Sequence, residues 1–398
     1  MIGADPVPVP AGITLGNWMA PPYSRWSFQH VEDFLPTAVI SRGTGPVAVL
    51  PADAEPVAAV RLTRADGRTS SVAAVMEDTG TDGWAVAHRG RMVAEQYRHG
   101  LTPDTRHLLF SVSKSMVGVV AGALHGDGVL DVEDPVTEYV PALRNSGYAG
   151  ATVRQLLDMR TGVVFSDDYG DPHAQIHALD RAFGWAPRSG PSVPATLRDF
   201  LMTLAEDAPH GGPFEYRSTD TDVLGWICEV AGGQRMPELM SEVLWSRLGA
   251  YRDATIGVDS AGTGMFNGGI NAVLTDLIRF GSLFLREGVS LTGQQVLPME
   301  WIADTLTGGP DSRAAFADCP ADTGMPGGMY RNQMWVPYPG DDVLLCLGML
   351  GQMVYINRPA QVVAAKVSTQ EHSPDPHPQL NTLRAFDAVA DALGGAAV

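Results

Sequence analysis

The chain has 398 residues, 45% hydrophobic and 18% charged, with a formal net charge of −18 at pH 7. Its length exceeds one ordinary core and predicts two lobes, or one domain with a large insertion. The acidic balance argues against nucleic acid or an anionic membrane as partner, and the three scattered cysteines, Cys228, Cys319 and Cys346, form neither a disulfide framework nor a zinc-ligand spacing.

Residues 1–73 are rich in proline and carry Trp18, Tyr23, Trp26, Phe28 and Phe34 with little periodicity. They are expected to form an arm packed on the main body, since so many aromatics would otherwise face water. The first residues lack a basic region followed by an apolar core, and no apolar run reaches membrane-spanning length, so a cytoplasmic location is the expectation. From Gly83 the pattern turns strand-like, with a hairpin predicted around Gly90.

Next comes Phe110-Ser111-Val112-Ser113-Lys114-Ser115, followed by a Gly/Ala-rich apolar run from Met116 to Leu124 that predicts a buried helix. Residues three apart share a helix face, so the Ser111 hydroxyl and the Lys114 amine can meet at the first turn. Free backbone N–H groups there favour developing negative charge. Of 27 basic residues only Lys114 and Lys366 are lysines. Arginine cannot give up its proton in a protein, whereas a buried lysine can, so a lysine at this place points to proton transfer. A hydroxyl needs such a base to become a nucleophile.

Residues 152–159 read as a capped helix, and residues 165–213 as an irregular acidic stretch of the kind used for binding loops, with a helix near 197–205. Phe214-Glu215-Tyr216-Arg217-Ser218 leads into a helix over 219–231, another helix is expected over 236–248, and Phe266-Asn267-Gly268-Gly269 is expected to open a helix running to Leu285. Strand character returns at 344–349, 352–357 and 361–367, and 380–393 reads as a closing helix. Early and late strands commonly share one sheet, with a helical middle as a second lobe and a cleft between them.

The ordered set Ser111-x-x-Lys114, Tyr216-x-Ser218 and a Gly-rich strand near Gly348 resembles the serine β-lactamase and penicillin-binding protein superfamily. Within it, Phe110–Lys114, Asn145-Ser146-Gly147-Tyr148, Phe214–Asp220 and Gly348-Met349-Leu350-Gly351-Gln352 are similar to the nylon-oligomer (6-aminohexanoate-dimer) hydrolases, over most of the chain including the Trp18–Trp26 arm. The resemblance implies an α/β fold of β-lactamase/transpeptidase type: an antiparallel sheet flanked by helices, with an inserted all-helical lobe. The expected division is an α/β body from residues 1–165 and 264–398, residues 1–73 being the arm, and a mostly helical lobe from 166–263.

It further implies that Ser111 attacks an amide carbonyl, that Lys114 takes its proton, and that Tyr216 passes a proton toward the leaving amine. A phenol beside a cationic lysine is drawn toward phenolate. The oxyanion is expected on the backbone N–H groups of Ser111 and, by the resemblance, of Met349. No metal or cofactor is called for. Asp180 would pair the ammonium end of a linear aminohexanoate oligomer, Asn267 would hold polar groups near the nucleophile, Tyr169 would close over the substrate and Trp185 would wall the pocket. Asp180 and Asn267 also suit helix caps, and Tyr169 and Trp185 suit packing.

The β-lactamases carry K-T-G or a close variant on the last of these motifs; here Cys346-Leu347-Gly348-Met349 has no cation, with Arg331 the nearest substitute in view. The expected activity is therefore a serine hydrolase of linear 6-aminohexanoate oligomers with side activity on short-chain esters. A carboxylesterase, a β-lactamase or D-alanyl carboxypeptidase, and a non-catalytic binding protein of the same fold are the alternatives. The expected partner is a small-molecule amide or ester, with neither nucleic acid nor membrane, and a homodimer as one assembly.

Overall fold

The computed structural model describes residues 9–190, 193–317, 319–321, 323–340, 342–371, 375 and 377–395. Its strands, in chain order, are β1 (Thr37–Ile40), β2 (Arg61–Thr63), β3 (Thr69–Ser71), β4 (Thr81–His88), β5 (Arg91–Tyr97), β6 (His107–Leu108), β7 (Ala254–Gly257) and β8 (Ile270–Ala272). They continue with β9 (Met329–Arg331), β10 (Met334–Val336), β11 (Val343–Gly348), β12 (Gln352–Asn357) and β13 (Val362–Ser368). The main sheet has the order β5-β4-β13-β12-β11-β10-β9 and is antiparallel at each pairing. Early strands thus lie beside late ones in a single sheet.

This sheet is buried on both faces, which is why β11 and β13 are near-continuous apolar runs. Alternate residues point opposite ways. Leu344, Cys346, Val354, Ile356, Val363 and Ala365 face a core shared with the Leu274–Leu285 helix. Leu345, Leu347, Met353, Tyr355, Val362 and Ala364 face a second core shared with the Val72–Asp78 helix and the closing Pro378–Gly394 helix. The hairpin between β4 and β5 turns at Arg89 and Gly90, with φ of 50° and 77°, the left-handed pair that matches the twist of a two-residue turn.

A smaller sheet, β1-β7-β8-β6, holds the start of the Val112–Gly126 helix. Among the described residues before β2, Trp18 and Phe28 are fully buried, and Thr37–Ile40 forms β1, paired with β7. The Val112–Gly126 helix is buried along its length and packs against the Ser218–Gly232 helix. Gly118 lets the helix approach the segment between β9 and β10, because a Cβ there would lie 2.6 Å from the Asn332 carbonyl oxygen.

The expected helix from Phe266 is corrected. Residues 270–272 form β8 first, and the helix begins at Leu274. Two glycines make a poor helix start, and the ladder offered by β6 and β7 takes the backbone groups of Ile270 and Asn271 instead. The 236–248 helix is present, with one π turn at Ser241–Trp245. Among the described residues no helix is long and apolar enough to cross a membrane.

Candidate active site

The site is built where the Val112–Gly126 helix starts. Phe110 has φ of 45°, a left-handed conformation that turns the chain abruptly from β6 into the helix. Such a conformation costs a non-glycine residue about 1–3 kcal/mol. It is held by the Phe28 ring, which meets Phe110 edge-on at 5.0 Å. Hydrogen bonds from the Leu109 N–H to the Ile270 carbonyl (2.9 Å) and from the Ile270 N–H to Ser113 Oγ (3.1 Å) fix the turn to β8.

Ser111 is thereby presented at the helix entrance, and Lys114 lies one turn on with 1% of its surface exposed. The Lys114 amine donates to Ser111 Oγ at 2.9 Å and to the Asn267 carbonyl at 2.9 Å. Burial lowers the Lys114 pKa to about 8, against the opposing pull of the Asp167 and Asp222 carboxylates. Tyr216 arrives from the segment before the Ser218–Gly232 helix. Its hydroxyl is hydrogen-bonded to Ser111, its ring lies 4.9 Å from Lys114 Nζ, and it stacks on Trp335 at 5.5 Å. Burial pushes the Tyr216 phenol well above its ordinary pKa, so it rests as a neutral hydroxyl. That works against the phenolate expected from the lysine charge, because burial outweighs the attraction of the lysine.

Ser111 opens on a cavity of about 740 Å³ lined also by Asp167, Tyr169, Asp180, Trp185, Asn267 and Met349. These residues from distant stretches of the chain are therefore brought together. Asp180 lies inside the Ile176–Phe183 helix, 3% exposed, and accepts a hydrogen bond from the Tyr169 hydroxyl. Burial raises its pKa to about 7. Tyr169 as a whole is 39% exposed, while its hydroxyl end meets Asp180. Trp185 is a buried wall, anchored where its carbonyl accepts the Trp18 indole N–H at 2.9 Å.

Neither Asp180 nor Asn267 caps a helix. The Asn267 side chain is tied to the protein: its Nδ2 donates to Asp222 Oδ2 at 2.7 Å and its N–H to Asp222 Oδ1 at 3.0 Å. What Asn267 offers to Lys114 is its backbone carbonyl. Asp222, fully buried, was not singled out in the sequence, nor was Asp167, whose carboxylate accepts the Ser218 N–H at 2.8 Å.

Arg331 does not supply a cation to this cavity. It is held by Asp304 (3.0 and 2.6 Å) and Asp158 (2.6 Å) and is not among the residues that line the cavity. Tyr148, from the Asn145–Tyr148 motif, lies behind the site, fully buried with its hydroxyl on Asp220 at 3.2 Å. Gly348, in the last motif, brings β11 against the nucleophile's segment: a Cβ there would lie 2.5 Å from the Leu109 carbonyl oxygen.

The family model for β-lactamase matches residues 65–388. A 6-aminohexanoate-dimer hydrolase of Paenarthrobacter ureafaciens is 39% identical over 386 residues, covering 94% of this chain and 95% of that one. A solved structure from Bacillus anthracis, provisionally named a 6-aminohexanoate-dimer hydrolase, superposes with a TM-score of 0.89 at 26% identity, covering 98% of this chain and 100% of that one. A family VIII carboxylesterase shares the fold, with a TM-score of 0.60 at 16% identity over 80% of this chain and 95% of that one. The chain belongs to the β-lactamase family and is a serine amidohydrolase of that fold.

Proposed function

We propose that the chain cleaves the amide bond of linear 6-aminohexanoate oligomers, the dimer above all, through an acyl-enzyme on Ser111. Neutral Lys114 takes the Ser111 proton as the hydroxyl adds to the carbonyl. The N–H groups of Ser111 and Met349 hold the oxyanion. As the tetrahedral intermediate collapses, the C–N bond breaks and Tyr216 delivers a proton to the leaving amine, drawing on the proton held by Lys114. Water then adds to the acyl-enzyme by the same relay and releases the acid. These steps call on no metal and no cofactor.

The observation that carries the substrate assignment is the Asp180 carboxylate buried in a largely apolar cavity lined by no lysine or arginine among the described residues. Such a site suits an alkyl chain ending in an ammonium group and disfavours the carboxylate that β-lactams and peptidoglycan peptides present. Asp167, beside the same cavity, adds to that preference. Tyr169 and Trp185 cover and wall the alkyl chain. Asn267 acts through its carbonyl, which keeps the Lys114 lone pair directed at Ser111.

The same site should cleave short-chain esters, because an alkoxide leaves more easily than an amine. We also read residues 166–263 as a mostly helical lobe against the α/β body of 1–165 and 264–398; the Ile176–Phe183, Leu197–Leu201 and Ser218–Gly232 helices support this. A cytoplasmic location and a homodimer belong to the same proposal.

The test is to incubate the protein with aminohexanoate dimer, p-nitrophenyl acetate and nitrocefin in parallel. Dimer turnover is expected. Ester turnover alone would make it a carboxylesterase, nitrocefin turnover a β-lactamase, and silence on all three with no acyl adduct on Ser111 a binding protein.

A further inference from the structure

The turn that carries Met349 is irregular. β11 ends at Gly348, β12 begins at Gln352, and the three residues between them cannot continue the ladder. Leu350 is left-handed at φ of 58°, and Gly351 has φ of 96° with Ser368 so close that a Cβ would lie 2.9 Å from its hydroxyl. A turn of this shape does not by itself fix the direction of the peptide N–H at its first residue.

One side chain takes the place of the missing ladder. Gln352 is 2% exposed, and its carboxamide lies between the turn and the end of β13. Its Oε1 accepts the Ser368 N–H at 2.9 Å, and its Nε2 donates to the Ser368 carbonyl at 2.6 Å and to the Met349 carbonyl at 3.3 Å. The primary amide thus behaves as a peptide unit inserted between strands, giving β13 one donor and one acceptor. Its backbone pairs with Gly348 across the same turn. Gln352 thus faces Gly348 through its backbone and holds the Met349 carbonyl through its side chain. The anchor itself is held: the single Ser368 hydroxyl proton is shared between the carbonyls of Thr79 (2.9 Å) and Gly80 (2.8 Å).

We propose that Gln352 is the positioning residue of the oxyanion site, its carboxamide holding the Met349 carbonyl and so limiting how the backbone of that residue can rotate, which keeps the Met349 N–H in the orientation that stabilises the transition state at Ser111. This rests on the reading of Met349 as an oxyanion donor given above. Gln352 does not line the cavity, so it touches no substrate and acts through Met349 alone.

The test compares a short-chain ester with its thionoester, in which sulfur replaces the carbonyl oxygen. Sulfur is a weak hydrogen-bond acceptor, so an enzyme that stabilises an oxyanion prefers the oxygen substrate. Gln352→Leu and Gln352→Met, both apolar, remove the donor to Met349. Each is expected to lower kcat on the oxygen ester about 10- to 100-fold, with KM within roughly twofold, and to shrink the oxygen-over-sulfur preference by a similar factor. Ser368→Ala loosens the anchor while keeping its backbone groups for Gln352; it should lower the melting temperature and leave the preference intact.

Equal losses on both esters in the Gln352 variants, or an unchanged kcat, overturn the role of Gln352. A wild-type protein that cleaves both esters equally well overturns the oxyanion reading of Met349, and this inference with it. The two failures are thus told apart by the wild type alone.

Discussion

Lys114 Nζ lies 2.9 Å from Ser111 Oγ, in a position where the lysine keeps only 1% of its surface in contact with solvent. The distance alone is that of any hydrogen bond. The burial gives it chemical meaning, because it lowers the amine's pKa to about 8. Below that pH the amine is protonated and cannot accept the serine proton; above it the amine is free. The expected kcat/KM for a short-chain ester therefore rises about tenfold per pH unit up to roughly pH 8 and then levels. Lys114→Arg retains a charge that cannot be lost and should reduce kcat/KM by at least about 10³ at every pH. A pH–rate series on both proteins checks this. A flat wild-type profile from pH 6 to 9 would show that some other group is the base.

Asp222 bears on the same proton from the other side of Asn267. Its carboxylate fixes both the N–H and the Nδ2 of Asn267, whose carbonyl accepts from Lys114. It also attracts the lysine charge directly, as does Asp167. Asp222→Asn removes one of these two negative charges and one of the two bonds to Asn267. With less attraction for the protonated amine, the acid limb of the pH–rate profile should move to lower pH, by about one unit. The maximal rate should fall as the Asn267 carbonyl loses its fixed orientation. A residue that only stabilised the fold would lower the melting temperature and leave the limb where it is.

Lys114 was legible in the sequence because lysine is nearly absent from it, so the rare one beside a serine stood out. The strands at residues 343–368 were legible too, since a sheet buried on both faces leaves long apolar runs. Asp222 and Gln352 were not. Each works through a partner that adjoins it only after folding: Asp222 through Asn267, 45 residues away, and Gln352 through Ser368, 16 residues away. Local pattern carries no trace of such pairs. Asn267 was expected to hold polar groups near the nucleophile; its side chain meets Asp222, and the contact of its backbone carbonyl with Lys114 has no mark in the sequence, since every residue carries a carbonyl. The start of the Leu274–Leu285 helix was misplaced because β8 is only three residues long and owes its form to its neighbours on either side.

Asp180 is expected to decide between amide oligomer and simple ester. Its carboxylate is buried and held by Tyr169, and its pKa is raised to about 7. Asp180→Asn keeps the shape and removes the charge that would pair a substrate ammonium. Loss of a partner for a buried charge costs about 3 kcal/mol or more, so kcat/KM on the aminohexanoate dimer should drop at least about 100-fold. p-Nitrophenyl acetate has no ammonium group, and its turnover should change by less than about threefold. In the wild type the dimer should bind more tightly as the pH rises from 6 to 8, because the carboxylate then ionises. Parallel Michaelis–Menten series on the two substrates give the answer, and equal losses on both would remove Asp180 as the ammonium partner.

The second lysine makes a separate prediction about stability. Lys366 is fully buried in β13; its amine donates to the Thr79 carbonyl at 3.3 Å and faces the carboxylates of Asp82 and Asp375. Burial outweighs their attraction and lowers its pKa to about 7, against about 10.4 in an unfolded chain. The folded-state value is depressed for a cationic group, so between pH 7 and 10 the unfolded chain holds a proton that the folded one has shed. Stability from this residue then increases with pH across that window, by about 1.4 kcal/mol per unit. Lys366→Met removes the titration while filling similar space, and the Thr79 carbonyl keeps its donor from Ser368 Oγ at 2.9 Å. The variant should be more stable than the wild type at pH 7.5, and its advantage should shrink by roughly 2–3 kcal/mol by pH 9.5. Denaturant unfolding of both proteins at the two pH values measures this difference. An advantage of the same size at both would mean that Lys366 stays charged inside the fold, paired with Asp82 and Asp375 after all.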